Sequence, residues 1–160
     1  MTSQVLSQQA SIATWAHLLR AHASATRELS GELQAEHGLT INDYECLLLL
    51  SHAEEGAMRR VDLAGELLLT PSGVTRLLDG LQGAGFVCND SCESDARVKY
   101  AVLTDAGRQK LEEASRSHLA GVARLFGERF SEEELETLGE LLGRLPGGGG
   151  DGSACSPGRA

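Results

Sequence analysis

The stretch "TPSGVTRLLDGLQGAGFV", residues 70–87, contains the signals that decide the fold. It begins with Thr70, a residue type preferred at helix N-caps. Pro71 follows and suits the first helical position, because the N–H that proline lacks would have no partner there. Apolar residues then recur at helical spacing as far as about Leu81. The "GAG" of residues 83–85 ends this helix, and the pair Phe-Val after it predicts the start of a strand.

Three polar side chains share one side of the predicted helix. Thr75 and Arg76 follow Ser72 by three and four residues, which places all three on one helical face. Arginine suits bidentate contact with guanine, and hydroxyl groups suit phosphates or base edges. This face is therefore a candidate for contact with DNA, the alternative being a solvated surface.

The residues before this helix predict a second, shorter helix over "RRVDLAGELLL", residues 59–69. Two short helices joined by a tight turn are typical of a helix-turn-helix, whose second helix enters the major groove of DNA. Ala64 falls where the close crossing of two helices requires a small side chain. The predicted shared core consists of Leu63, Leu67, Val74, Leu77 and Leu78.

Two short strands are predicted after the helix-turn-helix, over residues 86–88 and 98–103, with the polar stretch of residues 89–96 as an exposed hairpin loop. An arginine on such a wing can enter the minor groove, where the potential of DNA is most negative. Asp95 can hold Arg97 extended through a charge-assisted hydrogen bond. A surface ion pair of little consequence is the alternative. The charged residues predicted at or near the tip are Asp95, Arg97 and Lys99.

Longer helices are predicted at both ends of the chain, at about residues 11–37 and 105–145, with a further helix opened by Thr40. The fold class is therefore mainly α, a winged helix-turn-helix whose DNA-binding lobe covers about residues 57–104. The apolar stripes of the end helices exceed what a centre of about 50 residues can bury. They form either a self-contained bundle or the interface of a homodimer.

The predicted domain spans residues 11–145. Residues 1–10 lack a clear pattern and are expected to be flexible, and the Gly-rich tail of residues 146–160 is expected to be disordered. No apolar run approaches the length that spans a bilayer, and no secretion signal is visible, so we expect a cytoplasmic protein without a membrane partner.

The net charge of −9 over 160 residues at first argues against a nucleic-acid partner. However, basic and acidic side chains balance at seven each between residues 57 and 110, so the whole excess of acid lies in the flanks. A neutral centre with acidic ends is compatible with a DNA-facing lobe.

The cysteines and histidines do not form an evident catalytic or metal site. Cys46 lies in an apolar run and is expected in the core. Cys88 and Cys92 are spaced as CxxxC, but a zinc site needs two further ligands and no second close Cys or His pair is present. We therefore predict no metal and no cofactor. Neither a nucleophilic triad nor a Gly-rich phosphate loop appears, which argues against an enzyme.

The stretches "LTINDYECLLLLS", "LAGELLLTPSGVTRLLDGLQGAGFV" and "DARVKYAVLTDAGRQKL" resemble the MarR (multiple antibiotic resistance regulator) family of winged helix-turn-helix repressors. The resemblance covers about residues 11–145, and its most specific part is a recognition helix followed in order by G-[LF]-V, D-x-R and L-T-x-x-G. It implies a homodimer with interleaved end helices, a pseudo-palindromic double-stranded DNA operator, and release of DNA by a small aromatic or phenolic effector.

Carried over by position, the resemblance places Pro71, Ser72, Thr75 and Arg76 on the recognition helix and both Asp95 and Arg97 on the wing. The chain departs from the family at two positions. Ala96 stands where many members have a second wing arginine, and Cys88 where many have a basic residue. Fewer basic groups imply fewer phosphate contacts and a weaker dependence of binding on salt.

The effector site is the least determined by sequence. Trp15, His17, His22 and Tyr44 are the candidate lining residues, because an indole can stack on an aromatic ligand and a histidine can bind its carboxylate. The alternative is that these residues are core, dimer or surface positions.

Two other hypotheses of function stay open. One is a winged-helix module that binds protein instead of DNA, and the other is a regulator that responds to oxidation or metal through Cys88 and Cys92.

Overall fold

The computed structural model describes the backbone of residues 2–92 and 95–146 and the side chains of residues 7–90 and 98–146. The chain is mainly helical with one small antiparallel sheet, which confirms the predicted fold class. The helices are α1 (Thr2–His37), α2 (Ile41–His52), α3 (Arg60–Glu66), α4 (Pro71–Gly83), α5 (Asp105–Gly127) and α6 (Glu132–Gly143). The strands are β1 (Ala57–Arg59), β2 (Val87–Cys92) and β3 (Asp95–Leu103), with a single 3-10 turn at Glu54–Gly56 before β1.

Helix α1 begins at Thr2, about nine residues earlier than the sequence predicts. Residues 2–10 contain neither glycine nor proline, so nothing in them stops a helix from extending. The hydroxyls of Ser11 and Thr14 donate to the carbonyls of Ser7 and Ala10 at 2.9 Å, one turn back.

None of the helices in the described part of the chain, α1 included, is long and apolar enough to cross a membrane. Most of the predicted tail, residues 147–160, lies outside the described residues.

The sheet has three strands in the order β1-β3-β2, whereas the sequence predicts only two. Strand β1 pairs Ala57 with Val102 and Arg59 with Tyr100. It is too short to show an alternating pattern and is stabilised by its partner strand. The predicted hairpin loop of residues 89–96 is also too long, since β2 continues to Cys92 opposite β3. Polar residues can pair in this way because a wing has little apolar surface to bury.

The helix-turn-helix packs as predicted. Leu63, Leu67, Val74 and Leu78 are buried, and Leu77 packs against them from a partly buried position. They join a core to which α2 contributes most, through its run of apolar residues. The buried members of that run are Tyr44, Cys46, Leu47 and Leu50.

A close junction fixes the lobe to α5. Thr104, the N-cap of α5, accepts a hydrogen bond from the Gly107 N–H at 3.0 Å. Its hydroxyl donates to the Gly85 carbonyl at 2.7 Å, and its own N–H donates to the Phe86 carbonyl at 3.1 Å. A Cβ on residue 107 would lie 2.1 Å from the Phe86 carbonyl oxygen, so only glycine allows the start of α5 to approach the wing this closely.

The turn between α3 and α4 contains an unusual leucine. The N–H groups of Leu68 and Leu69 donate to the carbonyls of Gly65 and Ala64 at 3.2 and 3.1 Å. This is the hydrogen-bond pattern of a Schellman motif, in which the residue that Leu68 replaces is usually glycine. Leu68 has a φ of 52° and is 91% exposed, so it has a left-handed backbone without packing that compensates for it.

We expect Leu68→Gly to raise the free energy of unfolding by about 1 kcal/mol, because it removes the left-handed strain and loses almost no buried surface. Urea unfolding at a fixed protein concentration measures the change. Leu68→Ala is the matched control, since it removes the exposed side chain but retains the strain. Equal stability of the glycine and alanine variants would contradict this interpretation.

Candidate nucleic-acid interface

Helix α4 is held by a local cap and an apolar underside. The Thr70 hydroxyl accepts from the Gly73 N–H at 3.1 Å, and Pro71 occupies the first turn, as the sequence predicts. Val74, Leu78 and Leu81 are buried. Because these three residues fix one side of the helix to the core, the opposite side is presented to the exterior.

The predicted contact residues Pro71, Ser72, Thr75 and Arg76 are all exposed on the first two turns of α4. The Thr75 hydroxyl donates to the Pro71 carbonyl at 2.9 Å, and the Ser72 hydroxyl lies 3.2 Å from that of Thr70. Both hydroxyls keep acceptor lone pairs for a ligand. No described side chain forms an ion pair or hydrogen bond with Arg76, so its full charge and its donors face outward.

Lys99, which the sequence places at or near the tip of the wing, lies opposite Ser91 in the ladder, one residue before the end of β2. It is exposed and lines a cavity of about 320 Å³ together with the start of α3. The side chains of Asp95 and Arg97 lie outside the described residues, although the backbone of both belongs to β3.

The structure adds a set of polar residues that the sequence did not reveal. The Arg60 guanidinium, at the start of α3, donates through Nη2 to the Asn89 Oδ1 on β2 at 2.7 Å. Asn89 donates in turn to the Gln82 Oε1 on the last turn of α4 at 2.6 Å. One amide therefore ties α3, β2 and α4 together. The dipeptide "RR" at residues 59–60 was the available signal, but nothing in it identifies Asn89 as the partner.

The described cysteines offer no evident reactive or metal-binding group. Cys46 is fully buried, as predicted, and burial raises the pKa of its thiol to about 12, with a smaller contribution from Asp43. Its thiol is therefore protonated and unreactive at neutral pH. Cys88 is exposed on β2, and the side chain of Cys92 lies outside the described residues. Within the described part of the chain, no cluster of three or more His, Cys, Asp or Glu side chains could hold a metal ion.

The four candidate effector residues do not form one site. Trp15 and His22 stand two turns apart on α1 and share a face, whereas His17 points elsewhere because it is two positions from Trp15. All three are exposed. Tyr44 is buried, and its hydroxyl lies 3.2 Å from that of Ser115 on α5. It is a core residue at the junction of α2 with α5.

His22 alone among these residues lines a groove of about 650 Å³ between α1 and the start of α2. Glu45 of α2 lies close to it. Burial raises the pKa of the Glu45 carboxyl, and the nearby His22 partly opposes this effect. The groove is lined by His22, Ala23, Thr26, Arg27, Ser30, Gly31, Gln34 and Thr40.

A buried histidine lies beneath Tyr44. The His118 ring on α5 packs against the Tyr44 ring with a centroid distance of 4.5 Å, and its Nδ1 is buried without a hydrogen-bond partner among the described residues. Burial lowers the pKa of His118, and the charge of Glu32 opposes this only in part. The folded protein therefore favours the neutral imidazole at the place where α1, α2 and α5 meet.

Comparison with known proteins agrees with this geometry. The model of the MarR family matches residues 39–99. The HTH-type transcriptional repressor YetL of Bacillus subtilis is 31% identical over 111 residues, which are 69% of this chain and 66% of that protein.

Solved structures are similar over a larger share of the chain. AbsC, a MarR family transcriptional regulator from Streptomyces coelicolor, is 34% identical with a TM-score of 0.73, covering 81% of this chain and 87% of AbsC. Sco3205, a MarR family regulator from the same organism whose crystal structure is a complex with DNA, is 26% identical with a TM-score of 0.74, covering 80% of each chain.

We expect the free energy of unfolding to fall as the pH is lowered through and below about 6.5, with part of this loss due to His118. The unfolded chain binds a proton at this residue more readily than the folded chain does, so acid favours unfolding. His118→Phe retains an aromatic ring against Tyr44 and should flatten the dependence. His52→Asn, at an exposed position on α2, is the control. An unchanged pH profile in His118→Phe would contradict the assignment.

Proposed function

Because the chain belongs to the MarR family of winged helix-turn-helix transcriptional regulators, we propose that it is a repressor that binds a pseudo-palindromic operator as a homodimer and is released by a small-molecule effector. The chain is a DNA-binding regulator and not an enzyme. A cytoplasmic location is part of this proposal.

The exposed face of α4 is the observation that carries the proposal. Arg76 has no hydrogen-bond or ion-pair partner among the described side chains, and Ser72 and Thr75 lie beside it on the first two turns. The first turns of the second helix are where a helix-turn-helix reaches base edges in the major groove. An exposed arginine guanidinium on these turns of α4 suits the O6 and N7 acceptors of guanine.

The homodimer is supported by apolar surface on the end helices. Ile12, Trp15 and Leu19 recur along one side of α1 and are 62%, 60% and 48% exposed. No residue of α6 is buried, although Leu141 and Leu142 lie on it. Apolar surface of this extent is costly in water and is typical of an interface. Two-fold pairing through these helices would place two recognition helices on two half-sites.

We expect Arg76→Ala to weaken operator binding by about 1–3 kcal/mol and also to relax base preference, because it removes a contact with a base edge. Arg97→Ala should weaken binding to all sequences more evenly, as expected for a wing residue in the minor groove. Selection from a random-sequence duplex library, performed with each variant, measures both affinity and preference.

Arg116→Ala is the control for charge, since Arg116 is exposed on α5 outside the lobe. It should resemble the wild type. If the Arg76 and Arg97 variants both bind DNA as the wild type does, these roles are wrong. If the folded wild type itself binds no duplex DNA, the hypothesis of a winged-helix module that binds protein is favoured instead.

The effector we propose is a small aromatic or phenolic acid bound in the groove between α1 and α2. His22 and Arg27 offer cationic or donor groups for a carboxylate there, and Thr26, Ser30 and Gln34 offer neutral ones. Trp15 lies two turns away on the same face of α1 and can extend the apolar wall. A ligand in this groove contacts α1 and Thr40, the N-cap of α2. Because α2 supports the lobe, such a ligand can alter the position of the recognition helix.

We expect 4-hydroxybenzoate, used as the probe, to lower the apparent operator affinity of the wild type more than tenfold at saturation. Arg27→Gln should require a higher concentration of the probe, because it removes a cation that binds the carboxylate. DNA binding measured by fluorescence anisotropy gives both values, with cyclohexanol as the uncharged control. Equal responses of the wild type and Arg27→Gln would exclude this groove as the carboxylate site.

A further inference from the structure

The two arginines before α3 differ in how their charge is compensated. Arg59 donates to both carboxylate oxygens of Asp62, from Nε at 2.6 Å and from Nη2 at 2.9 Å. These hydrogen bonds raise the pKa of Arg59 and pair its charge. Arg60 instead donates to the neutral Asn89 amide. Within the described part of the chain, its positive charge has no acidic partner.

Arg60 also has an unsatisfied hydrogen-bond donor. Its Nε is buried and has no hydrogen-bond partner among the described residues. Leaving a buried donor unpaired is costly, particularly on a charged group. Arg60 and Lys99 line one cavity together with the paired Arg59, and Lys99 has no ion pair with any side chain that the structure describes. Two uncompensated cations from different elements therefore face one space.

The Asn89 amide fixes this space relative to the recognition helix. Its oxygen accepts from Arg60 and its nitrogen donates to Gln82, so neither end of the amide is free to rotate without breaking a hydrogen bond. Gln82 belongs to the last turn of α4, and Lys99 belongs to the wing. The positions of Arg60 and Lys99 relative to the exposed face of α4 are therefore set by α3, the wing and α4 together.

We infer that Arg60 and Lys99 bind a phosphate of the DNA backbone between the start of α3 and the wing, and that Asn89 is the residue that positions Arg60. The inference rests on the proposed function. The first helix of a helix-turn-helix crosses the DNA backbone, and a large share of protein–DNA hydrogen bonds goes to phosphates. In a chain of net charge −9, uncompensated cations on the lobe are where a polyanion can approach.

Salt dependence of binding to a random-sequence duplex tests the inference separately from operator recognition, because counterion release does not depend on sequence. Arg60→Gln should reduce the slope of log K against log salt by about 0.9 per protomer, the value for one phosphate contact. The double variant Arg59→Gln, Asp62→Asn removes the neighbouring arginine without changing net charge and should keep the wild-type slope.

Asn89→Asp tests the positioning role with every cation retained. An aspartate at this position accepts from Arg60 but neutralises it, so the slope should fall nearly as far as in Arg60→Gln. Asn89→Ala leaves Arg60 charged but unsupported and should show an intermediate slope. A merely structural role for Asn89 would lower the unfolding midpoint of both variants and leave the slopes unchanged, and that result would overturn the inference.

Three further outcomes separate the possible failures. If the wild type binds the duplex with a salt-dependent affinity but Arg60→Gln has the same slope, the phosphate site is wrong and the proposed function stands. If the folded wild type binds no duplex even at low salt, both fail. A free anion is the competing ligand: an Arg60-dependent thermal shift caused by inorganic phosphate, with unchanged duplex slopes, would assign the cavity to a small anion instead of DNA.

Discussion

The close contact between Gly107 and the Phe86 carbonyl is the constraint on which the geometry of the lobe depends. At this point the turn after the recognition helix, the end of the wing and the start of α5 come together through Thr104. A side chain at residue 107 would push α5 away and change the angle of the wing. The motif order G-F-V followed by L-T-x-x-G thus reflects one junction, whose two halves are distant in sequence.

The charged side chains of this protein are unevenly distributed along the chain, so its net charge is a poor guide to the kind of partner that it binds. The acidic excess lies outside residues 57–110. Inside that range, Arg59 is paired with Asp62, whereas Arg60, Arg76 and Lys99 lack acidic partners among the described residues. Cations without an acidic partner attract a phosphate more strongly than cations that are already paired. A lobe with few of them should rely on correct placement of each one, which is the role we assign to the Asn89 amide.

Sequence predicted the elements whose signals are local. The caps at Thr40 and Thr70 could be predicted because each hydrogen bond closes within three residues. Strand β1 was missed because three residues depend on a partner about 45 positions away. Arg60 was missed for the same reason, since its partner on the wing is 29 residues distant. The sequence left Tyr44 open as either an effector-lining or a core residue, and its contact with Ser115 on α5 shows that it is buried.

Selection of genomic fragments by the purified wild-type protein, at a salt concentration near 0.15 M and with the dimer verified by sedimentation, tests the central claim most directly. We expect one pseudo-palindrome to recur, with half-sites about one helical turn apart, as two recognition helices related by a two-fold axis require. A folded dimer that enriches no sequence, with or without added aromatic acid, would contradict the reading of α4 as a recognition helix.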